Sequence, residues 1–272
     1  MIDFFVFILG ACIGSFLNVC IYRLPKEKSI VRPRSFCPKC RRLIRWYDNI
    51  PLISYIIIKG RCRRCGKKIS LVYPLVELLI ALSFLTLYLR FGLSLDFLAY
   101  TFLFCILIVV SFIDIKYHAI PVSLCILGIA SGLIFKLILS MSFLRGGVYD
   151  LNALPIWGAV KGLIFGLGFT YLFKLFGDVF IDFYLRLRKK ESIEGERECL
   201  GLGDVDFMGM VGVFLGIKGA VLVFFIAPFL AILYSIYAFI FKKSHLIPYL
   251  PYLSAATVIA FFWQDKILNI FF

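Results

Sequence analysis

Seven apolar stretches of 17 to 24 residues, separated by polar segments, dominate the sequence: 4–22, 71–89, 97–113, 121–139, 153–176, 220–241 and a last one from about 249 to 272. A helix rising 1.5 Å per residue needs about 20 apolar residues to cross the roughly 30 Å of hydrocarbon in a bilayer. Within lipid the backbone must satisfy its own hydrogen bonds, and a helix does so inside one segment. With 62% hydrophobic residues and a mean hydropathy of +0.96, a soluble domain is excluded. The expected fold is an all-α polytopic membrane protein. A further apolar stretch, 205–217, has 13 residues, about 20 Å of helix. If it crosses, there are about eight transmembrane helices.

The first stretch carries Asp3 ahead of it, with no basic flank and no small-residue cleavage site. We read it as a retained helix rather than a signal peptide. Gly10 and Gly14 give it a small-residue face for helix packing, and Asn18 must find a polar partner. In the second stretch Glu77 costs several kcal/mol unless it is paired or near the interface, so it is either an inward-facing functional group or an interfacial anchor. In the fifth, Gly162, Gly166 and Gly168 offer close packing, and Lys161 and Lys174 lie near the ends, where they can snorkel. The polar stretch 178–203 reads as a solvated loop, with a helical extension of the fifth span as the alternative.

The net charge is +14, and its distribution matters more than its size: 15 of the 30 Lys and Arg residues fall between Arg23 and Lys68. In a membrane protein this is the positive-inside signal, and such residues face anionic headgroups rather than nucleic acid. The same segment holds Cys37-Pro38-Lys39-Cys40 and Cys62-Arg63-Arg64-Cys65. Two CxxC pairs at this spacing suit a structural zinc site of four thiolates. The metal then supplies folding energy that a segment this small cannot draw from a core. With eight crossings and the N-terminus outside, the inner loops hold 23 basic residues and the outer ones five. Zinc segment, Asp114 and Asp204 then fall on the cytoplasmic side.

Leu200-Gly201-Leu202-Gly203-Asp204 sets a carboxylate behind two glycines where a charged segment turns apolar. Glycines allow close backbone approach, although Asp is also a favoured helix N-cap. Ser111-Phe112-Ile113-Asp114 supplies a second carboxylate at an equivalent boundary. Asp204 begins a helix, whose positive end favours a negative charge, and Asp114 ends one. A base role for Asp204 and an acid role for Asp114 follow. Asp206 points about 200° away from Asp204 on a helix, so only one of the two can serve.

Several further motifs, together with these, resemble the bacterial type IV prepilin peptidases. They are Gly14-Ser15-Phe16-Leu17-Asn18-Val19, Ile21-Tyr22-Arg23-Leu24-Pro25, Ser35-Phe36-Cys37-Pro38-Lys39-Cys40, Ile44-Arg45-Trp46-Tyr47-Asp48-Asn49-Ile50-Pro51-Leu52 and Tyr73-Pro74-Leu75-Val76-Glu77-Leu78-Leu79. The resemblance implies catalytic aspartates at Asp114 and Asp204, with Gly201 and Gly203 as active-site backbone. It also implies prepilin or pseudopilin substrates, a multi-pass protein of the bacterial inner membrane, and methylation of the new N-terminus using S-adenosylmethionine, whose binding residues are not indicated. The implied division is a first helix 1–22, a cytoplasmic zinc-binding segment 23–70 and a membrane peptidase domain 71–272. The sequence departs from the family pattern at Asp206, where Lys is common, at Val122, often acidic, and at Pro248-Tyr249-Leu250-Pro251, in place of Pro-x-Gly-Pro. Without the motifs, a transporter with Asp114, Asp204 and Glu77 on an ion path, or a zinc-stapled scaffold, would remain open. No inverted repeat supports the transporter.

Overall fold

The computed structural model describes residues 1–147, 149–188, 199–240 and 248–271. Among them there are helices, turns and two isolated backbone bridges, and no strand. The contacts divide the chain into two compact units, Met1–Ala119 and Ile120–Phe272.

In the first unit α1 (Ile2–Arg23), α3 (Val72–Phe91) and α4 (Leu95–Tyr117) pack together, and the cysteine segment with its short α2 (Ile53–Ile57) is strung between α1 and α3. The expected small-residue face is used: a methyl group on Gly10 would lie 2.8 Å from the Ala81 Cα, and one on Gly14 2.7 Å from the Glu77 Cα. Lipid tails are as apolar as leucine, so such close backbone approach is what holds membrane helices together. Asn18 finds its partner, donating from Nδ2 to the Tyr73 carbonyl at 2.9 Å. Ser94 caps α4, its Oγ accepting the Phe97 N–H. Val76, Ile80, Leu87, Leu103 and Val110 form the buried seam.

The two CxxC pairs fold into matching knuckles. The Cys37 and Cys62 amides donate to the carbonyls of Arg42 and Lys67, and those two cysteines' carbonyls accept from Arg41 and Gly66. In each knuckle the fifth residue has a left-handed backbone, φ 57° at Arg41 and 66° at Gly66. A side chain at Gly66 would touch nothing within 4 Å, so replacing it costs only conformational strain, about 1 kcal/mol. Gly66→Ala should therefore weaken metal retention about fivefold in competition with a chelator, with the fold of the helices unchanged.

The second unit contains α5 (Val122–Arg145), α6 (Pro155–Arg188), α7 (Leu202–Ile240) and α8 (Leu250–Phe271). α7 breaks at Gly216, where φ is 71° and ψ is −173°, a conformation essentially reserved for glycine. The contacts with α6 show that the chain reverses there. Gly166 abuts Met208 and Gly162 abuts Gly212, so the first arm runs antiparallel to α6. Beyond the break, the Phe224 ring meets those of Phe169 and Phe173 at 4.9 and 5.0 Å. A straight helix would carry residue 224 about 18 Å beyond Gly212, the residue that abuts Gly162, out of reach of both rings. The short stretch expected at 205–217 is thus the first arm of a helical hairpin, and with its two arms counted separately the described residues hold eight membrane-length or near-length rods.

Among the described residues six helices, α7 counted once, are long and apolar enough to cross a membrane; α8 is more polar, with Gln264, Asp265 and Lys266 in its C-terminal half. The chain is an integral membrane protein. Several sequence readings change in detail. α6 runs on to Arg188, twelve residues past the apolar stretch, which is the helical-extension alternative. Lys174 does not snorkel. It is buried and pairs with Asp178 at 2.9 Å. Gly168 has no neighbour within 4 Å and contributes no close packing. The acidic run Glu191, Glu194, Glu196 and Glu198, and the Lys242-Lys243 pair, lie outside the described residues.

Candidate active site and metal centre

The first arm of α7 is the innermost element of its unit, buried from Gly203 to Phe214 except at Asp206. Its glycines permit this. A methyl group on Gly162 or Gly212 would stand 2.0 Å from the other residue's carbonyl oxygen, and one on Gly132 of α5 2.7 Å from the Val213 side chain. Asp204 is the third residue of α7 and 6% exposed. Its Oδ2 accepts the Gly201 N–H at 3.2 Å, and its own N–H donates to the Gly201 carbonyl at 3.1 Å. A carboxylate in a first turn answers both the unsatisfied N–H groups and the positive end of the helix dipole.

The two glycines of the motif differ. A methyl group on Gly203 would sit 2.2 Å from the Ile120 Cγ2, whereas on Gly201 the nearest atom is 3.4 Å away. Gly203 is therefore required for close approach, while Gly201 has room for a side chain. Asp206 is half-buried. Tyr249, in the turn ahead of α8, was not singled out by the sequence for any role. Burial pushes its phenol up to about 12, with the charges of Asp204 and Cys199 adding to the effect, so it remains a proton donor close to Asp204 at any physiological pH.

Asp178 was also missed. Its Oδ1 accepts the Cys199 N–H at 2.7 Å while Oδ2 holds the Lys174 ammonium at 2.9 Å, and Cys199 lies so close over Gly177 that a methyl group there would be 2.5 Å from its Sγ. This latch fixes the chain five residues ahead of Asp204. Misplacing a reacting group by about 1 Å costs on the order of a hundredfold in rate. Asp178→Ala should lower the turnover of any Asp204-dependent reaction by at least about tenfold with little change in KM. Hydrogen exchange in residues 199–203 should accelerate in parallel. A rate loss without that acceleration would contradict the latch.

In the first unit Asp114 is 6% exposed and lies in the last turn of α4, three residues inside its end rather than at it. His118, left-handed at φ 48°, closes the helix by donating its N–H to the Asp114 carbonyl at 2.9 Å. Glu77 faces inward: its Oε2 accepts the Leu52 N–H at 2.8 Å and it is also bonded by the Ser15 hydroxyl. Arg23, 6% exposed, donates to the carbonyls of Ser29 and Pro33. Buried groups of the membrane helices thus hold the loop segment from beneath.

The four cysteines meet. The Sγ atoms of Cys37, Cys40, Cys62 and Cys65 all lie within 4.8 Å of one another, and those of Cys37 and Cys65 are 3.9 Å apart. Zn–S bonds of about 2.3 Å in a tetrahedron place sulfurs about 3.8 Å apart, so the donor set fits zinc in chemistry and in size. An ion pair between Arg63 and Asp48 at 2.7 Å ties the second knuckle to the turn Trp46–Asn49.

A profile described as the bacterial peptidase A24 N-terminal domain matches residues 8–91, and one described as the type IV leader peptidase family matches residues 101–236. The chain belongs to the type IV leader peptidase family. Both aspartates fall within the second match and all four cysteines within the first. Among relatives of this peptidase, a prepilin leader peptidase/N-methyltransferase of Myxococcus xanthus is 37% identical over 78% of this chain, which spans 55% of that longer protein. One of the same description from Bacillus subtilis is 29% identical over 98% of this chain and 96% of its own length. A type 4 prepilin-like proteins leader peptide-processing enzyme of Escherichia coli is 34% identical over 94% and 91% respectively. No solved structure matches.

Proposed function

We propose that this protein is a membrane aspartyl endopeptidase that removes the short basic leader from type IV prepilin or pseudopilin precursors and then N-methylates the new N-terminal residue. Family membership supports the peptidase, and the names of the relatives support both activities. The observation that carries the choice of catalytic groups is the pair of buried carboxylates at helix ends of opposite polarity. Asp204, at a helix N-terminus and hydrogen-bonded by Gly201, is suited to the ionised state. It takes a proton from water as the oxygen attacks the scissile carbonyl. Asp114, in a C-terminal turn where a negative charge is disfavoured, delivers a proton to the departing amine as the peptide C–N bond breaks.

Four thiolates leave no open coordination position, so the zinc held by Cys37, Cys40, Cys62 and Cys65 is structural. S-adenosylmethionine, when bound, supplies the methyl group and leaves as the thioether. The positive-inside count supports an N-terminus outside, with the zinc segment and both aspartates cytoplasmic. Incubating the purified protein with a precursor pilin and S-adenosylmethionine and weighing the product tests the whole proposal. Loss of the leader with gain of one methyl is expected, and an unaltered precursor would refute it.

A further inference from the structure

A cavity of about 330 Å³ runs along the Arg23 end of α1, closed on its other sides by the segment that follows α1 and by the turn between the two knuckles. From α1 it is lined by Cys12, Phe16, Val19 and Arg23, spaced by four, three and four residues, so that all four fall on one helix face. That face is graded from charged to apolar. Arg23 stands next to Tyr22, whose ring has the Lys26 and Lys116 ammonium groups at 4.0 and 5.3 Å, and tyrosine and lysine gather in this way where a bilayer meets water. Cys12 lies about 16 Å below at helical rise, the depth of one leaflet's hydrocarbon. Between the two, Phe16 is 50% exposed, and exposed Phe5, Ile8 and Leu9 carry the same face onward. The opposite wall also reaches below the boundary. Glu77 accepts both the Leu52 N–H and the Ser15 hydroxyl, which sets the turn holding Asn49 and Pro51 near the level of Ser15, about 12 Å beneath Arg23 along α1. Ile53, Ile56 and Ile57, which follow that turn in α2, are exposed.

We propose that this cavity binds one anionic phospholipid of the surrounding leaflet, with its phosphate at the arginines and an acyl chain lying down α1. The lining holds two guanidinium groups, Arg23 and Arg34, and no acidic residue, so its charge complements a phosphodiester. Arg23 is already committed to the Ser29 and Pro33 carbonyls and contributes its charge and the rigidity of the wall. Arg34 is exposed and makes no ion pair among the described residues. A guanidinium takes a phosphate in a fork of two N–H···O bonds, and the neighbouring Ser35 hydroxyl, also in the lining, can donate a third. The volume is at the lower end of small-ligand sites, in keeping with a headgroup whose chains lie outside it along Val19, Phe16 and Cys12. A soluble anion would leave that apolar half of the cavity unfilled. The basic leader of a prepilin would be repelled by the two arginines.

The test is native mass spectrometry of the zinc-loaded full chain released from membranes in mild detergent, followed by titration of the delipidated chain with phosphatidylglycerol, phosphatidylcholine and inorganic phosphate. One retained phosphatidylglycerol per chain is expected, bound at least about tenfold more tightly than phosphatidylcholine and not displaced by inorganic phosphate. Arg34→Ala removes the exposed guanidinium, and Val19→Trp fills the cavity from α1. Each should raise the Kd for phosphatidylglycerol at least about fivefold, with zinc content and the melting temperature in lipid-free detergent unchanged. Should Val19→Trp lower that melting temperature, Arg34→Ala, at an exposed position, decides alone. Equal binding of phosphatidylcholine would show that the arginines read no charge, and displacement by inorganic phosphate would assign the site to a soluble anion. Either result overturns the proposal, as does wild-type affinity for phosphatidylglycerol in the variants. If they keep the lipid and instead raise KM for precursor pilin, the cavity belongs to the substrate.

Discussion

Replacing either Asp114 or Asp204 by Asn lowers the turnover of leader cleavage by about 10⁴-fold, with zinc content and expression unchanged. Asn keeps the volume and one acceptor oxygen, so the Gly201 N–H keeps its partner and α7 still starts at the same place. What Asn cannot do is exchange a proton with water or with the leaving amine, and that exchange is the chemistry assigned to these positions. The barrier thereby rises by about 5.5 kcal/mol. The loss should appear in kcat, measured on a precursor peptide, with KM little altered. A variant that retains even a tenth of the wild-type rate would exclude its residue from the chemistry. If Asp206 were the working acid of α7, Asp206→Asn would show the large loss and Asp204→Asn would not.

Gly203→Ala should be nearly as damaging, by a different route. A methyl group there meets the Ile120 side chain at 2.2 and 2.7 Å, distances that packing cannot absorb, so the first turn of α7 or residue 120 must shift. Overpacking of this kind costs about 1–3 kcal/mol in stability, and a shift near 1 Å at Asp204 costs on the order of a hundredfold in rate. Because the clash has one partner, it can be relieved from the other side. Adding Ile120→Gly, which removes the Cβ at 2.7 Å as well, to Gly203→Ala should restore cleavage by at least about tenfold. Gly201→Ala, whose nearest atom is 3.4 Å away, should leave most of the activity. Equal losses from the two glycine substitutions would contradict the steric account.

The membrane helices are legible in the sequence because lipid imposes a severe rule: a segment that cannot satisfy its own backbone must not be there, and only long apolar runs qualify. The knuckles are legible because metal ligation fixes cysteine spacing. The shortness of 205–217 carries the hairpin at Gly216, since a stretch too short for a straight crossing that ends in Gly216-Ile217-Lys218-Gly219 has to turn or stop. The continuation of α6 to Arg188 was visible only as an alternative, because Asp178, Asp182, Arg186 and Arg188 interrupt the apolar run without ending the helix. Asp178 and Glu77 show what sequence hides. The Lys174 partner of Asp178 is an i,i+4 pair that a helix through this stretch would have shown, but its other partner is the backbone N–H of Cys199, and Glu77 accepts the backbone N–H of Leu52; a main-chain donor leaves no mark in the identity of the residue that carries it. Tyr249 is hidden for a different reason, since its nearness to Asp204 arises from how α8 enters the unit.

The claim on which the account turns is that cleavage is the work of Asp114 and Asp204 while methylation is done elsewhere in the same chain. Peptide hydrolysis needs a proton-transferring pair and water, whereas methyl transfer needs an uncharged amine aligned with a sulfonium, and one set of residues does not serve both. The most direct test places the Asp114→Asn or Asp204→Asn protein in one vessel with intact precursor pilin, precleaved pilin and S-adenosylmethionine, and weighs both peptides afterwards. The account predicts that the precursor keeps its leader while the precleaved pilin gains one methyl, which also certifies that the variant is folded. A shortened precursor, or a precleaved pilin left unmethylated by a variant with full zinc content, would contradict it.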